Sequence, residues 1–352
     1  MQSVTIGLDV SDRYSRYCVV NSSGEVVEEG RLRTTREALE QRFSRDERAR
    51  VVLETGTHSP WMSRTFGELG HEVIVANPRR LRLIYGAETK NDRLDAEHLA
   101  RLGRLDPKLL APIQHRGKRA QADLSVLRAR DALIRSRTLL VNHVRGAVKS
   151  VGGRLPRCST PSFGSKAAPH LPEELKQTLA PVLETIVELS GRVRGYDRQI
   201  ERLCEQRYPE TRALRQVGGI GPLTSLCYVL TLEDPSRFRT SRAVSPYLGL
   251  CPRQRESGQM SPQLRITKAG DVMLRRLLVG SAHHILGPFG PDTDLRRMGL
   301  RIAARGGKNA KKRAAVAVAR KLAVVLHRLW ISGDEYVPLK QGGSHNELAE
   351  TA

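Results

Sequence analysis

Four carboxylates near the start of the chain have the residue type and placement for phosphoryl chemistry. Asp9 sits in the otherwise apolar run Ile6-Gly7-Leu8-Asp9-Val10, and Glu54 closes Val51-Val52-Leu53-Glu54 just before Thr55-Gly56. Asp92 and Asp95 open a helical pattern in Lys90-Asn91-Asp92-Arg93-Leu94-Asp95-Ala96. A carboxylate ending a buried strand is costly unless it is paired or coordinates a cation. The i, i+3 spacing puts Asp92 and Asp95 on one helix face, about 5–6 Å apart at Cβ. Donor sets made only of oxygen select Mg²⁺ or Mn²⁺ over zinc. Two such ions about 3.5–4 Å apart can activate a nucleophile and stabilise a leaving oxygen at a phosphodiester. Simpler roles are open to each acid alone. Asp92 or Asp95 suits a helix start, Glu54 suits pairing with an arginine, and Asp12 in Ser11-Asp12-Arg13 reads as turn chemistry.

Two more segments carry candidate chemistry. Val217-Gly218-Gly219-Ile220-Gly221-Pro222-Leu223-Thr224 has the glycines of a helix-hairpin-helix turn. Gly219 and Gly221 permit close approach of backbone N–H groups to a phosphate, and Pro222 suits the first helical position. A plain glycine-rich interhelical turn would look similar. Tyr247–Gly258 followed by Arg265–Gly270 places Ser257 near Arg253, Arg255, Arg265 and Lys268. Cations close to a hydroxyl could assist attack on phosphorus, although the spacing equally fits a serine in a turn.

The elements that must position these residues follow from periodicity and punctuation. Val4–Val10, Tyr17–Val20 and Glu25–Leu32 read as strands, the last two joined by the hairpin signal Asn21-Ser22-Ser23-Gly24. A helix at Arg36–Phe43, a strand at Val51–Glu54, a helix at Pro60–Leu69 and a strand at Glu72–Ala76 follow. This order is that of an α/β ribonuclease H-like domain rather than a doubly wound nucleotide-binding fold. No G-x-G-x-x-G follows the first strand and no P-loop is present, which argues against a dinucleotide or nucleotide cofactor. Arg116–Lys149 reads as one long helix through Leu124, Leu127, Ala132, Ile134, Leu139, Val141 and Val144. Glu173–Arg207 reads as a second, near heptad spacing, so the pair forms a helical hairpin around a Pro/Gly/Ser-rich linker at 151–172. The expected domains are 1–110, the hairpin 111–208, a mainly α-helical block 209–332, and a disordered tail 333–352. Asn309–Trp330 is a helix whose first turns carry Lys311, Lys312 and Arg313, an arrangement that an anion would relieve.

Charge indicates the partner. The 352 residues carry a formal charge of +22, with 59 Lys+Arg against 37 Asp+Glu. The head, 1–100, is nearly neutral, whereas 237–330 holds 20 Lys/Arg against 4 acids. Such a face suits a nucleic acid. Cys18, Cys158, Cys204, Cys227 and Cys251 are scattered without a C-x-x-C pair, which argues against disulfides and zinc and fits a reducing cytoplasm. No apolar run approaches a membrane span, and the N-terminus lacks the pattern of a signal peptide.

Taken in order, the motifs resemble the DEDD-type transposases of the insertion sequence one-ten family, relatives of the pilin-gene invertases. Gly7-Leu8-Asp9-Val10, Leu53-Glu54-Thr55-Gly56 and Lys90–Ala96 match its three acidic blocks, whose domain resembles Holliday-junction resolvases. Gly218–Thr224, Gly249–Gly258 and Arg265–Leu278 match its C-terminal domain. Asn91 departs from the family, which often has Thr there. The resemblance implies that Asp9, Glu54, Asp92 and Asp95 bind Mg²⁺ and that Ser257 forms a covalent link to DNA. It also implies a homo-oligomer (dimer or tetramer), donor and target DNA as partners, a guide (bridge) RNA, and a nucleoid-associated life in the cytoplasm. The rival expectations are a junction nuclease that uses water through the four acids alone, and a non-catalytic nucleic-acid-binding protein.

Overall fold

The computed structural model describes residues 4–78, 92–255, 262 and 264–339, with Asp92 described by its backbone only. The chain divides into two compact units, Met1–Gly117 and Lys118–Ala352. The first is an α/β unit and the second is helical.

The first unit is built on a five-stranded mixed sheet of β1 (Val4–Asp9), β2 (Tyr14–Asn21), β3 (Val26–Arg33), β4 (Arg50–Glu54) and β5 (Glu72–Ala76). Its order is β3-β2-β1-β4-β5. The pairs β1–β2 and β2–β3 are antiparallel, and β1–β4 and β4–β5 are parallel. The β2–β3 hairpin closes as the Asn/Ser/Gly signal requires. Asn21 Oδ1 accepts from the Glu25 amide and the Ser23 hydroxyl, and Gly24 adopts φ +92°. β2 starts three residues before the predicted Tyr17, because Tyr14 to Arg16 pair with Arg33 to Arg31 at the exposed end of the hairpin.

Alternation along β1 and β4 sorts their side chains to two faces. Ile6, Leu8, Val51 and Leu53 enter one core with Leu39 and Phe43 of α1 (Arg36–Phe43) and Met62 and Phe66 of α2 (Ser59–Glu68). The opposite face is covered by α3 (Asp92–Leu105), whose Ala96 and Ala100 pack with Cys18 and Val20, and whose Leu99 packs with Val52, Ile74 and Ala76. Gly7 makes this contact possible, since a Cβ there would lie 2.0 Å from the Ala96 carbonyl oxygen. Arginines fasten α3 to the hairpin. Arg101 donates to the Gly24 carbonyl at 2.8 Å, Arg104 to that of Ser22 at 2.9 Å, and Arg93 pairs with Glu29 at 2.7 Å.

The second unit begins with two long helices, α4 (Lys118–Ser150) and α6 (Glu173–Gln206). Their cross-links fix an antiparallel register. Asp123 accepts from Arg207 and Tyr208, Arg130 pairs with Asp197, and Arg137 donates to Ser190. Here the periodicity reading needs correction, because Ala132 and Leu139 face solvent while Asp123 and Arg137 are buried. Hydrogen bonds across the hairpin fill those core positions with polar groups, which a count of apolar residues passes over. Burial, with Arg130 and Arg194 nearby, lowers the pKa of the Arg137 guanidinium.

The stretch 151–172 is not a loose linker. It holds a short α5 (Phe163–Ala167) whose Phe163 and Ala167, with Leu171, are buried against Val141, Val144, Leu183 and Ile186. Gly164 lets it sit flat on α6, since a Cβ there would meet Val187 at 2.5 Å.

The remaining helices are α7 (Thr211–Leu214), α8 (Pro222–Leu232), α9 (Val244–Tyr247), α10 (Val272–Leu286), α11 (Asp294–Ala304) and α12 (Ala310–Ser332). They share one core with the open end of the hairpin, centred on Tyr228, whose hydroxyl donates to the Ala323 carbonyl at 2.6 Å. The tail is attached at its start. The amide of Tyr336 donates to Gln216 Oε1, and the Pro338 carbonyl accepts from the Asp294 amide. The expectation of disorder thus fails for 333–339, and 340–352 lies outside the described residues. Among the described residues no helix is long and apolar enough to cross a membrane, and all five cysteines are free thiols.

Candidate functional site

The parallel pairing of β1 and β4 brings Leu8 opposite Leu53, and each strand has one further residue. Those residues are Asp9 and Glu54, so the two carboxylates end adjacent strands on the face that α3 covers. Both are half-buried and both hold further polar or charged interactions. Ala96 and Ala100 lie over Gly7, whereas Gly103, one turn on, meets Val52 and Thr5. α3 therefore runs against β1, with its N-terminal end above the strand ends that carry Asp9 and Glu54. That end begins at Asp92 and carries Asp95, which is half-buried.

The helix start adds a favourable dipole for anionic groups. Among the described residues no three His, Cys, Asp or Glu side chains stand close enough to hold a metal ion. The Asp92 side chain lies outside the described residues. The donor chemistry, carboxylate oxygens only, still matches a hard divalent cation.

The segment after Glu54 is tied down on both sides. Thr55 donates from its amide at 3.1 Å and its hydroxyl at 3.0 Å to the Ala76 carbonyl. The Gly56 amide donates to Ser59 Oγ at 2.9 Å, and Ser59 Oγ lies 2.8 Å from His115 Nε2. Ser59 is fully buried. Burial, then the neighbouring charges of Arg64 and Arg116, hold the His115 imidazole below its usual pKa. His58 joins Asp12 at 3.2 Å and accepts from Trp61 Nε1 at 3.1 Å.

Sequence reasoning passed over Ser59 and His115, because the contact spans 56 residues. The one available signal was the Ser-Pro pair that opens α2. A pKa lowered in the folded state means that neutral His115 stabilises this tie at and above about pH 6.5, and that the stability is lost as pH falls below it. A proton titration by NMR should therefore give His115 a midpoint below that of a histidine in an unfolded peptide. A midpoint at or above the peptide value would refute this account of the tie.

In the helical unit the glycine turn behaves as its residues require. Gly219 adopts φ +88°, Gly221 caps α8, and Pro222 takes the first turn. α7 before it spans only four residues, shorter than in the expected helix-hairpin-helix.

The segment on either side of Ser257 is an antiparallel pairing. The Arg253 amide donates to the Arg265 carbonyl at 3.0 Å, Thr267 to Cys251 at 2.9 Å, and Lys268 to Gly249 at 3.1 Å. Gly249 (φ +68°) and Gly270 (φ +73°) permit this crossing, since a Cβ at either would lie 2.2 Å from a backbone oxygen. Arg275, which sequence reading did not single out, clamps the base by donating to the Leu248 and Ala269 carbonyls. Arg253, Arg255, Arg265 and Lys268 are exposed around this base. Ser257 itself, at 256–261, lies outside the described residues, as do Lys90 and Asn91. Lys311, Lys312 and Arg313 are exposed on the first turn of α12, where Arg313 also donates to the Gly306 carbonyl.

Comparison with known proteins agrees with these two sets of motifs. Residues 6–152 match a family profile described as a transposase, of the DEDD IS110 type, and residues 211–293 match the transposase IS116/IS110/IS902 family. The chain is 30% identical over 288 residues to a "Probable family 20 transposase" of Pseudomonas aeruginosa, covering 79% of this chain and 83% of that protein. It is 26% identical over 339 residues to the "Transposase for insertion sequence element IS1111A" of Coxiella burnetii, covering 94% and 90%. It is 29% identical over 236 residues to the "Transposase for insertion sequence element IS1328" of Yersinia enterocolitica, covering 66% and 69%.

Proposed function

Since the chain belongs to the IS116/IS110/IS902 family of transposases, enzymes that cleave and rejoin DNA, we propose that it moves an insertion sequence by serine-linked strand exchange at a carboxylate site. The observation that carries this reading is the placement of Asp9 and Glu54 at neighbouring parallel strand ends. The helix that begins at Asp92 and carries Asp95 covers the same face. Three antiparallel strands followed by two parallel ones support a ribonuclease H-like identity for the unit.

Asp9, Glu54, Asp92 and Asp95 would hold Mg²⁺ or Mn²⁺, for which an all-oxygen donor set is suited. When bound, such ions would polarise the scissile phosphate and offset its charge. Ser257 is the nucleophile. Its Oγ bonds to phosphorus as the bond from phosphorus to a deoxyribose oxygen breaks. The serine gives up its hydroxyl proton and the expelled oxygen takes one up. No external energy source is needed, because the phosphoserine ester keeps the phosphodiester bond energy for rejoining. Arg253, Arg255, Arg265 and Lys268 offset charge on the reacting phosphate. Gly219, Gly221, Lys311, Lys312 and Arg313 hold nucleic-acid backbone without reading sequence.

Donor and target DNA, a guide RNA, and a homo-oligomer (dimer or tetramer) that brings acids and serine together complete the reading, with the bacterial cytoplasm and its nucleoid as the setting. With its guide RNA, the chain should cleave duplex DNA bearing the element ends in Mg²⁺. A chelator should abolish cleavage without releasing the DNA, and added Mg²⁺ or Mn²⁺ should restore it. Undiminished cleavage in the chelator would overturn the reading.

A further inference from the structure

The face of α10 that meets the glycine turn carries chemistry that strand exchange leaves unused. α8 starts beside Gly221 and no side chain caps it. The first amides of a helix lack intrahelical partners and its positive end attracts anions. A helix start alone would be unremarkable, but here it opens on a cleft of about 580 Å³. Gly219, Gly221 and Thr224 line one side, and Arg276, Ser281 and His284 of α10 line the other. Thr224 and Ser281 are only 7% and 6% exposed, and neither hydroxyl finds a hydrogen-bond partner among the described residues. Both line the cleft, so their hydroxyls can donate to a ligand that enters it.

The chemistry of the lining selects the ligand. Arg276 is half exposed and supplies a cation, the two hydroxyls can donate, and the helix start adds backbone amides. Among the described residues, the carboxylate that pairs with Arg276 is Asp131 of α4, which also lies 3.3 Å from Arg135. Gly219 sits close against α10, since a Cβ there would lie 3.0 Å from His284 Cδ2 and 3.4 Å from the Ser281 carbonyl oxygen.

We propose that this cleft grips one backbone phosphate of a nucleic-acid strand. Arg276 exchanges Asp131 for the phosphate, while Thr224, Ser281 and the first amides of α8 donate to its oxygens. The proposal rests on the reading of the chain as a nucleic-acid enzyme. DNA and RNA present the same phosphodiester, so both are used as probes.

Arg276→Gln and Asp131→Asn break the same ion pair, so a purely structural role moves both variants in the same direction. A phosphate grip moves them in opposite directions. With the full-length chain, a short DNA duplex and an RNA hairpin are titrated over a range of salt concentrations. Arg276→Gln is expected to weaken binding to one probe severalfold and to lower the slope of log affinity against log salt by about 1. Asp131→Asn is expected to tighten binding to that same probe, because it frees the guanidinium from its carboxylate. The responding probe identifies the strand. If the wild-type chain binds but the two variants match it, or shift together, the cleft does not hold phosphate while the enzyme reading stands. If the wild-type chain binds neither probe, both fail.

Discussion

Asp9→Asn should lower Mg²⁺-dependent strand cleavage about a thousandfold while leaving duplex binding intact. The substitution keeps the size of the side chain and removes the charge that would hold a cation at the end of β1. A metal-assisted step gains several kcal/mol from its ions, and each 1.36 kcal/mol is a factor of ten in rate. Glu54→Gln should behave alike, because Leu8 pairs with Leu53 and the two acids follow side by side. Asp12→Asn is the control. Its carboxylate is 92% exposed and contacts His58, so cleavage should stay close to wild type. Single-turnover cleavage of an end-labelled duplex measures all three, and a near-normal rate for Asp9→Asn would remove that residue from the site.

The second large effect falls on a residue with no side chain. Gly7→Val should destabilise the first unit by about 1–3 kcal/mol, the usual cost of overpacking a tight contact. It should also reduce cleavage nearly as far as Asp9→Asn. A new Cβ would lie 2.0 Å from the Ala96 carbonyl oxygen and 2.5 Å from the Ala100 amide nitrogen. Both are backbone atoms, so α3 itself must lift, and its first residues move away from the strand ends. Gly56→Ala meets nothing within 4 Å and should leave the fold unchanged, although it too lies in a motif beside an acid. Thermal unfolding of the two variants makes the comparison. For a unit of this size 1 kcal/mol corresponds to about 4–8 °C. A Gly7→Val chain that melts and cleaves like wild type would show that α3 does not depend on this contact.

Much of the first unit was legible in its residues, because each local cue agrees with its tertiary outcome. The run Asn21–Gly24 closes its hairpin with the side-chain bonds such residues make, and α1 spans the predicted Arg36–Phe43. The two long helices were legible from period alone. What periodicity missed are positions where a polar group takes a core place. Asp123 and Arg137 are buried with partners one helix away, although Arg137 Nε finds none among the described residues, and Leu139 is left 67% exposed. The segment around Phe163 was hidden by prolines, glycines and serines. Phe163, Ala167 and Leu171, with Leu155 and Cys158 partly buried beside them, hold it between α4 and α6. Of the candidate site, residue types and strand ends could be read directly. The support of the Glu54 loop by Ser59 and His115, and the Arg275 clamp, could not, since these contacts appear only once distant segments meet.

If Ser257 and the four acids perform strand exchange together, the covalent protein–DNA intermediate can be trapped. The chain is incubated with Mg²⁺, the guide RNA and a duplex bearing the element ends, then denatured, digested and analysed by mass spectrometry. A nucleotide joined to Ser257 is expected, absent from Ser257→Ala and strongly reduced in Asp9→Asn. An adduct formed at wild-type yield by Ser257→Ala, or cleaved strands with no protein attached, would contradict it.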